Sequence, residues 1–263
     1  MASGGGCNTF IVVRDHLGTI VTIDEPAFIQ VSQELNNYGY AQVVHSPNWV
    51  DPGNYKLDYI VEFYRGNPGA GLPVYREWAG FFRTFVSSEF RGGLRQFSTF
   101  VRGPEDLLHR RVIASDSDVP LMEGVGGLLD SAGGLLGAVP ADDAARLVEK
   151  FHAGSGATTA NGRLADGVTP NLQPTVYPNG GLGTTPLIGG AELSGRNVLS
   201  TVQEWSNFTY ETGGVLFDFD VEISEPGTPL TFTPRHFIGG RGTDRSQTGT
   251  STTPVILSGC FTD

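Results

Sequence analysis

Residues 74–90 read VYREWAGFFRTFVSSEF, and residues 94–103 read LRQFSTFVRG. Both runs are crowded with aromatic and β-branched side chains, the types that fit a pleated, half-buried surface. Gly92 and Gly93 lie between them, and a glycine pair is what a tight turn between antiparallel strands demands. The expectation is one long β-hairpin, and its neighbours on the N-terminal side repeat the theme.

FIVVR (10–14) and TIVTI (19–23) flank the short break DHLG and predict a second hairpin. In AFIQVSQELNNYGYAQVVH (27–45), Phe28 to Leu35 alternates in part, Asn36-Asn37 can turn the chain, and YGYAQVV returns. SPNWVDPGN (46–54) is a loop by its Pro, Asn, Asp and Gly content. YKLDYIVEFYR (55–65) sets Leu57, Tyr59, Val61 and Phe63 against Lys56, Asp58 and Glu62, the signature of a half-buried strand. PEDLLHRRV (104–112) has proline early, acids next and arginines last, an order that suits a short helix and its dipole. Residues 1–115 thus predict a compact, mostly antiparallel β domain that closes into a barrel or a sandwich, because open edges invite aggregation.

The composition then shifts. Residues 116–140 form a Gly-rich linker or insertion in which GGLL occurs twice, at 126–129 and 133–136. Residues 141–263 predict a second, α+β domain. ADDAARLVEKFHA (141–153) spaces Ala144, Leu147, Val148 and Phe151 as a helix. A long Gly/Thr/Pro/Asn-rich stretch, 154–193, is an irregular insertion of the kind that is functional or ordered by a partner. Residues 194–212 predict a helix with Val198, Leu199, Val202, Trp205 and Phe208 on one face and Ser194 as its N-cap. Strands follow at 215–224, 229–240 and 253–258. The fold class is mainly β with a few short helices.

Composition excludes several functions. The net charge is −11, with only Lys56 and Lys150 as lysines. Affinity for phosphates needs positive charge, so a general nucleic-acid binder is disfavoured, although such a chain can line a passage through which DNA slides. Cys7 and Cys260 make neither a disulfide framework nor a CxxC metal spacing. The start, MASGGGCNTF, lacks the basic and apolar regions of a secretory signal. No run approaches the ~20 apolar residues of a membrane span, and the expectation is a soluble protein made in the cytoplasm.

One strand carries a chemical pattern. In FDFDVEI (217–223), Asp218, Asp220 and Glu222 alternate with Phe217, Phe219, Val221 and Ile223, so the three carboxylates share one face, about 7 Å apart. Paired carboxylates at such a range serve glycosidases, and calcium also takes carboxylates, but with six to eight oxygens that include loop ligands. Carboxylates along one strand point in parallel rather than across a cleft. The ordinary reading is a solvated strand face; another is an acidic lining of a channel. His16, His45, His109, His152 and His236 are scattered without HExxH or HxH spacing, and no GxSxG, P-loop or GxGxxG occurs. No catalytic residue, cofactor site or metal site is expected. His109-Arg110-Arg111 is read as serving the helix C-terminus and neighbouring carboxylates. FIGGRGTDRS (237–246) is not a phosphate cradle, which would open a helix; a polar loop and a strand follow it. GGLL lacks the basic residues of a membrane anchor and is read as packing on a partner subunit.

Taken in order, these stretches resemble the tail hub proteins of long-tailed bacteriophages, the two-barrel proteins of the tail tip. FIVVRDHLGTIVTIDEPAFIQVSQELNNYGYAQVVH is similar to the family's opening. VYREWAGFFRTF with LRQFSTFVRGPEDLLHRRVIA is similar to its next segment. DDAARLVEKF and RNVLSTVQEWSNFTYETGGVLFDFDV resemble the helices and strand of its second half, and FIGGRGTDRS with TPVILS its later loop and strand. The resemblance spans roughly residues 10–258. It implies two β-barrel-like domains and a homo-oligomeric ring, often a trimer, in the virion. That ring would join the tail tube or distal tail protein to the central fibre or spike, with DNA passing through unbound. It implies no catalytic residues. Asp218, Asp220 and Glu222 become candidates for the channel face. Leu128, Leu129, Leu135, Leu136, Arg241, Asp244 and Arg245 become candidates for assembly contacts. The chain departs from the family in its Gly-rich segments and in stopping soon after the last strand.

Overall fold

The alternating runs of the N-terminal part build one seven-stranded antiparallel sheet. Its strands are β1 (Asn8–Arg14), β2 (Ile20–Asp24), β3 (Phe28–Ser32), β4 (Tyr40–Val44), β5 (Ile60–Asn67), β6 (Leu72–Glu89) and β7 (Arg95–Arg102). They lie side by side in the order β2-β1-β5-β6-β7-β4-β3. The computed structural model describes residues 8–45, 52–67, 72–89, 95–112, 144, 148, 175–178, 196–211, 217–225 and 230–240.

Connectivity forces this sheet to curl. β2 and β3 stand at opposite ends of the order, yet only Glu25–Ala27 separate them in the chain. Three residues span at most about 11 Å, so the two ends of the sheet meet at that corner. Side chains from distant strands accordingly share one interior: Ile11 and Val13 of β1 sit in the same cluster as Ala41 and Val43 of β4, with Phe63, Trp78, Phe82 and Val101 between. The result is barrel-like. Closure is incomplete, because the β1–β2 ladder ends at the pair Ile11↔Asp24. Pro26, two residues on, has no N–H to offer.

The outward face of the barrel is not left to water. Ile60, Ala79 and Phe81 point away from the interior and join a second cluster. That cluster takes Leu107 and Leu108 from α1 (Asp106–His109), one face of α2 (Val198–Glu211), and a two-stranded antiparallel hairpin, β8 (Phe217–Ile223) with β9 (Phe232–Ile238). Ala144 and Val148, both helical, are buried in it. Gly80 stands where β6 lies close against the end of β7: a Cβ there would run into the carbonyl oxygen of Arg102. The chain is mainly β, its sheets antiparallel and its helices short.

The structure corrects several sequence expectations. The strand expected over 55–65 begins only at Ile60; before it the chain turns, with Asp58 at φ 68° and Leu57 left exposed. β5 is also not half-buried. Ile60, Val61, Glu62 and Phe63 are all at 1% exposure or less, because the barrel fills one face and the second cluster covers the other. α2 starts at Val198, and the capping oxygen is Oδ1 of Asn197, which accepts from Ser200 N at 3.2 Å. Ser194, most of the helix expected at 141–153, and the strand at 253–258 lie outside the described residues. Within the stretch read as irregular, Val176 bridges to β9 beside Arg235.

Candidate functional site

The alternation of FDFDVEI decides what β8 presents. Phe217, Phe219, Val221 and Ile223 are buried in the second cluster, which turns Asp218, Asp220 and Glu222 to the other face. That face is not the solvated row expected from sequence. Asp218 and Asp220 are buried, and only Glu222 is exposed. Arg235, the residue opposite Asp220 in the ladder, donates from Nε to Asp220 Oδ1 at 2.8 Å and from Nη2 to Oδ2 at 2.7 Å. Its Nη1 reaches Glu222 Oε1 at 2.7 Å. The hydrogen bonds to Asp220 hold the Arg235 guanidinium above its ordinary pKa. Asp218 Oδ1 accepts from Asn36 Nδ2 at 3.0 Å. Of the three carboxylates, Glu222 alone reaches the surface.

Asn36 is the hinge between barrel and hairpin. It holds φ 56°, a left-handed conformation that asparagine tolerates better than most residues. Its Oδ1 accepts from Phe219 N at 2.8 Å, its Nδ2 also reaches Ser206 Oγ at 3.1 Å, and its carbonyl accepts from Gln203 Nε2 at 2.9 Å. One turn residue thereby joins β3–β4, α2 and β8.

A second tie lies deeper. Glu62 is 1% exposed and sits between Arg14 Nε, at 2.7 Å, and Arg76 Nη1, at 2.9 Å. Arg76 also donates to the end of β8, reaching Ile223 O at 2.7 Å and Ser224 O at 2.8 Å. A third polar knot surrounds Asp106 and Asp58, which receive Arg83 and Arg110, with Arg102 also on Asp106. Arg110 contributes 2.8 Å and 2.7 Å contacts to the two acids, so this arginine does serve neighbouring carboxylates. At the barrel mouth, Tyr55 donates to Asp24 Oδ2 at 2.6 Å, and His45 Nε2 lies 3.2 Å from Thr99 Oγ1. Burial pushes His45 down to about 4, opposed by the Asp24 charge, and burial with the Asp24 bond pushes the Tyr55 phenol up.

Between the β3–β4 turn, β6, Glu105 and the β8–β9 hairpin lies a cleft of about 340 Å³. Glu34, Glu77, Glu105, Asp220 and Glu222 line it, against only Arg76 and Arg235. Both guanidiniums are already committed to Glu62, Asp220 and Glu222. Glu34 accepts from Asn37 at 2.7 Å, and Glu77 pairs with Arg65 at 3.1 Å. The cleft is negative, but its acids are tied to their own chain rather than aimed at one point. No group of three or more His, Cys, Asp or Glu able to hold a metal occurs among the described residues. No described helix is long and apolar enough to cross a membrane.

Sequence reasoning brings forward Asp220 and Glu222, which the fold does place together. It misses Asn36, Glu62 and Asp106, each polar and each central to how the parts are joined. The i,i+4 spacing of Asp106 and Arg110 is a local signal of the third knot, and Arg102 stands at the same spacing on the other side of Asp106. Leu128, Leu129, Leu135, Leu136, Arg241, Asp244 and Arg245 lie outside the described residues.

No protein-family model matches the chain, and no curated protein does. Among solved structures, the chain is similar to the E. coli c3393 protein, a component of the type VI secretion system described as structurally similar to T4 bacteriophage tail proteins gp27 and gp5. The identity is 11% and the TM-score 0.37, over 89% of this chain and 47% of that one. It is also similar to a chain of the lidless PdpA-VgrG complex, at 9% identity and TM-score 0.42 over 88% of this chain and 35% of that one. The half-lidded Francisella PdpA-VgrG complex gives 8% identity and TM-score 0.42 over 88% and 31%. The chain thus spans less than half the length of these solved chains.

Proposed function

We propose that this chain is a structural subunit of a phage-like tail tip, the hub ring that joins the tail tube to the central fibre or spike. The reading has the chain act by assembly, not by catalysis, with DNA passing through unbound. The observation that carries it is the state of two strand edges. Among the described residues β2 pairs only with β1, and its Ile20 and Ile23 are 50% and 60% exposed. β6 runs on past its pairing with β5, which ends at Phe81, so that among the described residues Thr84–Glu89 pair with β7 alone. Phe85 and Val86 there point to opposite faces, and both are exposed. An unpaired strand edge presents a row of N–H and C=O groups to any second strand, and bare apolar edges invite association. Subunits of a closed ring cover such edges against one another. The ordered resemblance to tail hub sequences supports the same reading.

Light scattering with negative-stain imaging of the purified protein tests it. Rings of defined copy number are expected, and a trimer is the expected state. A stable monomer with no affinity for tail components would overturn the proposal.

A further inference from the structure

The barrel carries a split whose two lips are both built to bond. Continued by register, the β1–β2 ladder would set Phe10 opposite Glu25 and Thr9 opposite Pro26, but it stops at Ile11↔Asp24. Past that point the chain leaves β1 and runs on as β3, which pairs with β4 alone. Asn8, Thr9 and Phe10 pair with β5 alone. Two strand edges therefore diverge from Pro26, each with one side unpaired among the described residues. The space between them is a cavity of about 620 Å³, lined by Asn8 and Thr9 on one lip, Phe28, Ile29 and Val31 on the other, and Phe63 at the floor. Its volume lies within the range of ligand pockets.

The side chains register a missing neighbour. Ile29 and Val31 point inward and pack on the barrel core, yet stay only half-buried, while Phe28 is 56% exposed. The ion pair of Arg65 with Glu77 closes one flank. Glu25 lines the slot at the point of divergence, is exposed, and has no hydrogen bond or ion pair among the described residues.

We infer that this split is a binding site for an extended segment of a partner protein, which adds a strand between β1 and β3. The chemistry of the occupant follows from the slot. Backbone N–H and C=O groups on both lips call for an extended peptide. Inward positions facing Phe63, Ile29 and Val31 call for apolar side chains at every second residue. The Glu25 carboxylate calls for a lysine or arginine at the end that reaches it. This site stands apart from the edges invoked for ring assembly and does not depend on them.

The test uses the full chain and a hexapeptide, VTVTVK, carrying fluorescein on its N-terminal amine and amidated at its C-terminus. A control peptide has the same sequence with alternate backbone nitrogens methylated. Fluorescence anisotropy is expected to show saturable binding of the first and at least tenfold weaker binding of the second. Hydrogen exchange is expected to slow at residues 8–10 and 28–31 on binding. The exposed substitution Glu25→Lys is expected to weaken VTVTVK at least tenfold and to favour VTVTVE instead. No saturable binding, or equal binding of the methylated peptide, overturns the inference. So does full protection of residues 28–31 before peptide is added: independent of concentration, it would mean that the chain fills its own slot. Protection that grows with concentration would mean that a second copy does.

Discussion

Arg235 stands directly opposite Asp220 in the β8–β9 ladder and holds both of its carboxylate oxygens, at 2.8 and 2.7 Å. A bidentate, charge-assisted pair of this kind is stronger than a neutral hydrogen bond. With Asp220 at 8% exposure, little water replaces what is lost. Asp220→Asn is expected to lower stability by about 1–3 kcal/mol in urea denaturation, and Arg235→Lys to do much the same, because an ammonium cannot reproduce the fork. A hydrolase would show the opposite balance, with turnover lost and stability unchanged. That result would overturn the structural role of the pair.

Glu62 offers a sharper case. It is the one acid between Arg14 and Arg76, and burial leaves both guanidiniums dependent on it. Glu62→Gln keeps the shape and removes the charge, and is expected to cost about 3–5 kcal/mol. The loss should be felt beyond β5, because Arg76 also anchors Ile223 and Ser224 at the end of β8. Hydrogen exchange should therefore accelerate in β8–β9 more than in β7. Uniform acceleration throughout the chain would count against the anchoring role.

These two acids also mark what the sequence can and cannot reveal. The pairs β1–β2, β3–β4 and β6–β7 are legible, since alternation and turn residues are local signals and each of these hairpins is made by chain neighbours. β5 misleads because its burial on both faces depends on a hairpin more than a hundred and fifty residues away in sequence. The carboxylates of β8 are legible as a row on one face but not as internal pairs. Nothing local to FDFDVEI announces that Arg235 and Asn36 will meet them. Glu62 reads as the polar side of an amphipathic strand, because a buried ion pair and a solvated face look alike in one dimension. The split at Pro26 is visible as a proline between two strand-like runs, but only the sheet order gives it two lips.

Asn36 makes separable contributions to stability through its backbone and its side chain. Its φ of 56° favours asparagine or glycine, and its side chain donates to Asp218 and accepts from Phe219 N. Asn36→Gly keeps the conformation and loses the bonds, for an expected cost of about 1–3 kcal/mol. Asn36→Ala loses the bonds and adds strain of about 1–2 kcal/mol. Thermal denaturation of the two variants should rank alanine below glycine. If they melt together, the left-handed backbone contributes nothing that the side chain does not.

His45 gives the chain an acid-sensitive point. It is 1% exposed, beside Thr99 and edge-on to Tyr55, with Asp24 the charge that faces it from β2. Burial lowers its pKa from 6.5 to about 4 in the folded chain. The unfolded chain therefore takes up this proton first as pH falls. The contribution to stability is fully present above about pH 6.5, shrinks steadily below it, and is gone near pH 4. Over that window the loss amounts to at most about 3 kcal/mol. Urea midpoints between pH 7 and pH 4.5 should fall for the native chain more steeply than for His45→Gln, which cannot titrate. Carboxylates add their own slope to both, so the difference between the two curves is the quantity to read. Parallel curves would mean that His45 takes up its proton in the folded chain as readily as in the unfolded one.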